Sequence, residues 1–571
     1  MTDTLQSEIH DILQVAMREA IAAGELSIPE VPKIPFSPTK TPEHGDFATP
    51  VALGLAKQAK MPPRKIAETI VAHVDVAGHP HIRRIDIAGP GFINIHLSDA
   101  WLYETLRTIV TEGDTYGTCD KGAGARIQVE FVSANPTGPL NIVSGRAAAV
   151  GDTLVNLLNA VGYDAIREFY VNDAGGQVAR LGESIDVRYR QALGEPGLEI
   201  PEGGYAGEYL RAFAQDIVDA EGDKYLQLDA TERVSLFRDR GIAHILAQQE
   251  ASLERFGVQF DVWTSEKAIR ASGKPMAILQ LFRDKQYLYE AEGATWFRMS
   301  DFGDDKDCVV IRRDGEYTYF VPDAAYHRDK FDRGFNKVID FFGPDHQGHV
   351  SRLYNFVKAL GLPDDWLEIA IIQQVNLVDD EGKLLDMSKR RGKFYTLDVL
   401  IDELAAAIGE RFAVDVARYF FLMRANNTHL DFNLALAITE ANENPVFYIQ
   451  YAFARCWSIF QKSAEHGITP RPVDTVSLVL LTEPMEHELI RKLSEFPALV
   501  LFSAEAREVH RIAHYLHELA GLFHPYYNQH RVLDAEHQER TQARLVLTQA
   551  VQTVLRNGLA LLGISALEKR M

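Results

Sequence analysis

Only three cysteines occur in 571 residues, and Cys119, Cys308 and Cys456 stand far apart with no CxxC pair. That scarcity excludes a disulfide framework and a zinc ribbon. Long apolar runs are missing too, and none approaches the roughly 18 residues that a membrane-spanning helix needs. The opening MTDTLQSEIHDILQVAMREA mixes acids into its apolar positions, where a secretory signal is basic and then apolar. A cytoplasmic protein is expected. No GxxxxGK followed by Ser or Thr is present, and no GxGxxG follows a strand pattern, which sets aside P-loop ATPases and dinucleotide enzymes. Internal repeats and low-complexity tracts are also absent. Basic residues are outnumbered, 59 against 80, for a net charge of −21. The molecule as a whole therefore repels polyanions, and a nucleic-acid partner has to meet a local basic patch. What remains is a folded composition, 46% hydrophobic and 24% charged, with a length that suggests three or four domains at about 150 residues each.

Residues 1 to 115 read as a small α+β domain. Helical periodicity at Ile9, Ile12, Leu13 and Ala16 gives way to a Pro-rich stretch from Pro29 to Pro42, a second helix follows, and 83–87 and 92–97 alternate around Ala88-Gly89-Pro90-Gly91 as two strands and a tight turn. An α/β pattern then fills 116–435. The run Ile127–Val132 reads as a strand, the next residues as a loop, and Val150, Leu154, Leu157, Leu158 and Val161 as one stripe of a helix stopped by Gly162. Ile166–Val171 supplies the next strand, so a parallel sheet with ligands at its carboxyl ends is predicted. Residues 182 to 275 look like a charged helical insertion. The runs 296–298, 309–311, 317–320 and 338–342 are expected to complete the same sheet. Only helix-length patterns follow residue 436, including 489–502, 510–523 and 545–562, so 436–571 is predicted to be a helical bundle.

Two loops carry chemistry. Asn135 to Ser144 precedes a helix, whose backbone N–H groups and positive end suit a triphosphate. Asp386-Met387-Ser388-Lys389-Arg390-Arg391-Gly392-Lys393 brings four cations together, which suits a leaving pyrophosphate if the loop closes on the substrate and a solvated charge run if it does not. In the bundle, Tyr448, Tyr451 and Arg455 share one helical face, either as a platform for unpaired bases or as an aromatic core stripe. His346 and His349 lie too close together on one turn for good metal geometry, and no metal site is expected.

Taken together, Val129-Glu130-Phe131-Val132-Ser133-Ala134-Asn135-Pro136-Thr137-Gly138-Pro139-Leu140, the Met387-Ser388-Lys389-Arg390 loop and Asn442-Glu443-Asn444-Pro445-Val446-Phe447-Tyr448-Ile449-Gln450-Tyr451-Ala452 closely resemble arginyl-tRNA synthetases of class I. The resemblance continues through His44–Thr49, Tyr170–Gly175, Asp301–Asp307 and Gly563–Ala566, so it spans the chain. It implies a Rossmann-type catalytic domain, an N-terminal domain touching the tRNA elbow and an all-α anticodon-binding domain, in a protein that is usually monomeric. It also implies the ATP-dependent joining of L-arginine to its cognate tRNA through arginyl-adenylate, with Mg2+ accompanying the ATP and no tightly bound cofactor.

The side chains can be weighed against that expectation. A guanidinium is planar with five donors and needs carboxylates beside an aromatic wall. Tyr319 and Asp323 match the family's side-chain reading pair, and Glu290 is a candidate second carboxylate. Ser133 and Asn135 match the α-amino positions. Glu130 is a further polar anchor, with a purely structural role an almost equal reading. Pro136, Thr137, Gly138, Pro139, Gly343, Asp345, Met387 and Arg390 fall on ATP positions, Asp345 facing the ribose. His524–Val532 resembles a further family segment on the RNA-facing side.

Two signatures depart from the family. His-x-Gly-His reads Asn141-Ile142-Val143-Ser144 here, so Asn141 and Ser144 are expected to donate in place of imidazoles, with Val143 where a glycine would stand. Lys-Met-Ser-Lys begins with Asp386, leaving Ser388 and Lys389 as catalytic candidates and Lys383 as a possible substitute charge. An alternative reading is a weakened synthetase-like protein that binds arginine or tRNA for regulation.

Overall fold

The computed structural model describes residues 2–39, 44–385 and 395–567. Met387, Ser388, Lys389 and Arg390 lie outside the described residues.

The N-terminal segment opens with the helix Thr2–Ala22, which buries Ile9, Ile12, Leu13, Ala16 and Met17 against a four-stranded antiparallel sheet and two further helices. Ile82–Ala88 and Phe92–Leu97 form the anticipated hairpin. Gly91 is required at its turn: it has φ +137°, and a Cβ there would lie 2.7 Å from the Pro63 backbone.

Five parallel strands form the central sheet, in the order Leu367–Ile371, Lys337–Phe342, Arg126–Glu130, Asp164–Val171, Val262–Ser265. The first of them in the chain, Arg126–Glu130, is central. The chain builds outward from it on one side and later on the other, so order reverses between Arg126–Glu130 and Lys337–Phe342. Ligand crevices form at the carboxyl ends on either side of such a reversal. Here those ends lead into residues 131–141 and 343–346.

Several expectations are corrected. The 296–298 and 309–311 runs do not join the parallel sheet; they pair in a separate antiparallel sheet of Leu288–Ala291, Ala294–Phe297 and Cys308–Ile311. The 317–320 run is not a strand. Tyr317 makes one isolated bridge to Ile311, and Phe320 already begins the helix Phe320–Asp332. Pro322 in the first turn, where no intrahelical N–H is needed, is compatible with that helix start despite the β-branched and aromatic neighbours. The insertion is also shorter than expected. Its helices Gly176–Ala192, Glu208–Glu221 and Ala230–Arg255 enclose their own core of Leu181, Ile185, Tyr189, Phe213 and Phe237, whereas Val262–Ser265 is the edge strand of the main sheet.

The bundle contains Pro445–Glu465, Pro484–Ser494, Phe496–Ala506, His510–Gln529 and Gln538–Leu561. The single helix expected over 489–502 is two, divided at Glu495, with Pro497 in the first turn of the second.

Candidate active site

The central strand ends at Glu130 and the chain enters a strained turn, with Val132 at φ +67° and Ser133 at φ +38°. A β-branched residue in the left-handed region is uncommon and needs surrounding bonds to hold it. The Ser133 hydroxyl provides them: it donates to Glu130 Oε1 at 3.0 Å and accepts from the Tyr170 N–H at 3.1 Å, while the Ser133 carbonyl accepts from Asn172 at 3.3 Å. Asn135, exposed, donates to Gln177 Oε1 at 2.8 Å.

The next helix, Ile142–Ala160, is capped by Asn141. The Asn141 carboxamide oxygen accepts from the Ser144 N–H at 2.8 Å and from the Ser144 hydroxyl at 3.2 Å. The two predicted donors are therefore unequal. The Ser144 proton is directed to Asn141, and the NH2 group of the exposed Asn141 makes no hydrogen bond among the described residues. Val143 occupies the second helical position, half-buried.

Beneath this loop lies a buried charge network. Lys330, with 0% exposure, sits 2.7 Å from Glu130 and 2.8 Å from Asp340, and His327 reaches Asp340 at 3.0 Å. Glu168 accepts two bonds from Arg333 at 2.8 Å each, with Tyr326 and Thr264 completing its shell. Burial pushes the Asp340 carboxyl up, but Lys330 and His327 outweigh it and hold it below the usual range. For Glu130 burial wins over Lys330, and its carboxyl lies above the usual range. Both Glu130 oxygens are already occupied, one by Ser133 and one by Lys330, so this residue braces the loop from below.

Tyr319 and Asp323 stand one turn apart at the start of Phe320–Asp332. Tyr319 bonds His349 Nδ1 at 2.8 Å through its hydroxyl. Among the described residues the half-buried Asp323 carboxylate has no hydrogen-bond or ion-pair partner. Burial pushes it up to about 7 against the pull of His327, with Glu266 and Glu130 adding to the rise. Beside it the Tyr170 hydroxyl is buried, also without a partner among those residues, and its acidity is suppressed first by burial and then by Asp323 and Glu266. Glu266 is a residue that sequence reasoning missed. It opens the helix Glu266–Ala271 at the carboxyl end of the edge strand, where Asp173 fixes the turn by accepting from Ser265 at 2.6 Å and from the Lys267 N–H at 2.8 Å. Arg270 meets Glu266 Oε1 at 2.7 Å and 2.6 Å, and among the described residues no hydrogen bond reaches Oε2. Glu290, the predicted second carboxylate, is exposed on the antiparallel sheet and accepts from Thr295 at 2.8 Å. The carboxylates that raise Asp323 are Glu266 and Glu130. The missed signal was a strand ending in Ser-Glu, a cap and an acid at a carboxyl end.

Gly343 and the exposed Asp345 follow the Lys337–Phe342 strand, across the crevice from the Asn135–Asn141 turn. Thr396 bridges Asn141 and the Leu397 N–H donates to Leu140 at 2.9 Å, so the chain re-enters beside Asn141 directly after residues 386–394. Lys383 is exposed on the preceding turn, its N–H bound to Asp379 at 2.9 Å. Among the described residues no group of three or more His, Cys, Asp or Glu could hold a metal ion, and no helix is long and apolar enough to cross a membrane.

Comparison with known proteins agrees along the whole chain. Residues 4–97 match the arginyl tRNA synthetase N terminal domain, 105–412 the class I (R) tRNA synthetase catalytic domain, and 449–570 the DALR anticodon binding domain. An arginine–tRNA ligase of Desulforamulus reducens is 44% identical over 100% of this chain and 99% of its own length. The chain belongs to the arginyl-tRNA synthetase family. The ligase of Bacillus subtilis is 42% identical over 99% of this chain and 100% of its own. The arginyl-tRNA synthetase of Thermus thermophilus shares the fold, with a TM-score of 0.73 and 21% identity over 99% of this chain and 100% of that one.

In this arginyl-tRNA synthetase family member, Tyr448, Tyr451 and Arg455 form an interhelical cluster. Arg455 lies 4.4 Å from the Tyr451 ring centre and 4.6 Å from that of Tyr527, and donates to His524 Nδ1 at 3.0 Å. The other His524 nitrogen bonds the Tyr448 carbonyl at 3.0 Å. An arginine can only donate and a carbonyl only accept, so His524 is neutral with its proton on Nε2. Burial, aided by Arg455, pushes its pKa down to about 4. All three predicted residues are half-buried: they are neither a bare platform nor a sealed core.

Proposed function

We propose that this chain activates L-arginine with ATP and transfers the arginyl group to the terminal ribose of its cognate tRNA. The observation that carries this reading is Asp323, a carboxylate at a raised pKa that, like the Tyr170 hydroxyl beside it, has no hydrogen-bond partner among the described residues, with the Glu266 carboxylate close by. An arriving guanidinium supplies five donors and one positive charge to that set. Tyr319 forms the aromatic wall, and Ser133 and Asn135 face the α-amino group.

The substrate carboxylate attacks the α-phosphorus of ATP, the bond to the bridging oxygen breaks, and pyrophosphate leaves. Charge gathers on the phosphoryl oxygens as it does so, and donors placed there in advance lower the barrier. The amino end of Ile142–Ala160 and the Asn141 NH2 supply such donors. Ser388 and Lys389 do the same for the leaving pyrophosphate, a role supported by the re-entry of the chain beside Asn141. Asp345 holds the ribose, and Pro136 to Pro139 pack along the phosphates. Magnesium arrives on the triphosphate, bound chiefly through phosphate oxygens and water. The tRNA ribose hydroxyl then attacks the arginyl carbonyl and AMP leaves.

We assign 1–115 to the tRNA elbow, 116–435 to catalysis and 436–571 to the anticodon, with Tyr448, Tyr451 and Arg455 meeting RNA, in a cytoplasmic monomer. No observation favours the non-catalytic alternative. Arginine-dependent exchange of labelled pyrophosphate into ATP, with cognate tRNA present, tests the reading. Exchange well above background is expected, and none at high protein concentration rejects it.

A further inference from the structure

The longest helix of the insertion, Ala230–Arg255, carries Gln249, Ser252 and Arg255 three residues apart, and all three reach out of the insertion. Gln249 is 1% exposed and gives its amide hydrogens to two carbonyls of the Asn135–Pro139 loop, Asn135 at 3.1 Å and Gly138 at 2.8 Å. Both partners can only accept, which fixes the orientation of the amide and leaves its Oε1 buried without a partner among the described residues. From the neighbouring helix the Tyr209 hydroxyl takes the Thr137 carbonyl at 2.5 Å. Further along the same face, Ser252 donates to Asp398 at 2.5 Å, and Arg255 meets Asp402 and Glu410 at 2.8 Å each. Asp398 and Asp402 lie on the helix Leu397–Ile408, whose first residue bonds Leu140.

A loop that receives phosphates must turn N–H groups toward the anion and keep carbonyl oxygens away from it. This loop has few N–H groups to offer, because Pro136 and Pro139 have none. Donors from the insertion hold three of its carbonyls. We propose that Gln249 is a positioning residue of the ATP and arginine site: it sequesters the Asn135 and Gly138 carbonyls so that the loop presents its donor edge, and Ser252 and Arg255 extend the same brace to the helix that follows residues 386–394. The substrates named here rest on the ligase reading; the brace does not.

The test uses full-length Gln249→Met, Gln249→Glu and Tyr209→Phe proteins, with two readouts. Hydrogen exchange of amides in 133–141 is expected to quicken about tenfold in Gln249→Met and less in Tyr209→Phe. In pyrophosphate exchange, the same variants raise KM for ATP about tenfold or less, in the same order, with kcat within about twofold. The glutamate variant, which sets a charge against carbonyls and phosphate, is at least as impaired as Gln249→Met. Wild-type loop exchange and wild-type ATP KM in Gln249→Met overturn the proposal, as does a defect confined to Gln249→Glu, since an introduced charge then accounts for it. If the wild-type protein exchanges no pyrophosphate, the ligase reading falls while loop exchange in Gln249→Met still decides the brace.

Discussion

At Asp323 a half-buried carboxylate has no neutralising partner among the described residues. On the proposed role of Asp323 in holding the guanidinium, its pKa of about 7 makes arginine binding pH-dependent with a definite sign. Protonation removes the charge the guanidinium needs, so KM for arginine rises by up to about tenfold per pH unit below about 7, whereas KM for ATP changes little. Steady-state kinetics across that range check this, and a flat arginine KM defeats it. Asp323→Asn weakens arginine binding by about a hundredfold and abolishes the pH dependence, because a bond to a charged group contributes about 1.5–3 kcal/mol. Glu266→Gln also raises arginine KM, whereas Glu290→Gln leaves it within about twofold, a comparison that separates the two carboxylates. Tyr319 and Asp323 are candidates only through the resemblance to the family, for the local pattern reads 317–320 as a strand, and their place one turn apart at a helix start comes from the fold. For Glu266 the sequence offers only the Ser-Glu cap at a strand end, and its nearness to Asp323 comes from how the edge strand and the Phe320–Asp332 helix pack in the fold. Nor does a sequence tell that the Ser144 proton is directed to Asn141, for that depends on the cap geometry of one turn. Removing the surviving donor, in Asn141→Ala, lowers kcat about a hundredfold, as loss of a transition-state donor does elsewhere, while KM for arginine stays within about threefold.

Among the elements, Phe320–Asp332 does the most. Its first turn offers Tyr319 and Asp323 to the crevice, and its later turns send Tyr326, His327 and Lys330 beneath the Ser133 turn. Lys330 has two carboxylates within 2.8 Å and no exposure to solvent. Lys330→Met leaves the Glu130 and Asp340 charges without their cation and destabilises the fold by about 3–5 kcal/mol, read as a shift of the urea midpoint at constant slope. An unchanged midpoint would remove the network from the account of why Ser133 keeps its left-handed backbone. Element legibility followed the same logic as at single residues. Strong helical stripes and the Gly89-Pro90-Gly91 turn were readable because local chemistry decides them. The 296–311 strands were assigned to the wrong sheet because alternation specifies a strand and not its neighbour. The 317–320 run was mistaken because aromatic and β-branched residues suit both a strand and a buried first turn of a helix.

On the scale of the whole molecule, one continuous apolar core runs from Ile9 through the Ile142–Ala160 helix to Ile564, while the insertion encloses a smaller core of its own. Just past the N-terminal segment, Tyr116 ties the chain to the bundle: its hydroxyl donates to the Leu493 carbonyl at 3.0 Å and its carbonyl accepts from Asn557 at 3.0 Å. Limited proteolysis is therefore expected to nick first in the exposed 194–204 connection inside the insertion, with residues 98–125 resisting; an early cut between 98 and 125 contradicts the shared core. Arg418 closes the arrangement. Wholly buried, it donates to the carbonyls of Leu562 at 3.0 Å and Phe256 at 3.3 Å and to Asp152 of the Ile142–Ala160 helix at 2.5 Å, and Gly563 lies so near it that a Cβ would fall 2.3 Å from the guanidinium. The C-terminal bundle is thus no interchangeable cassette. A graft of a relative's bundle inherits the far end of the helix whose near end Asn141 caps, and it works only if the donor sequence brings a glycine that this buried arginine can lie against.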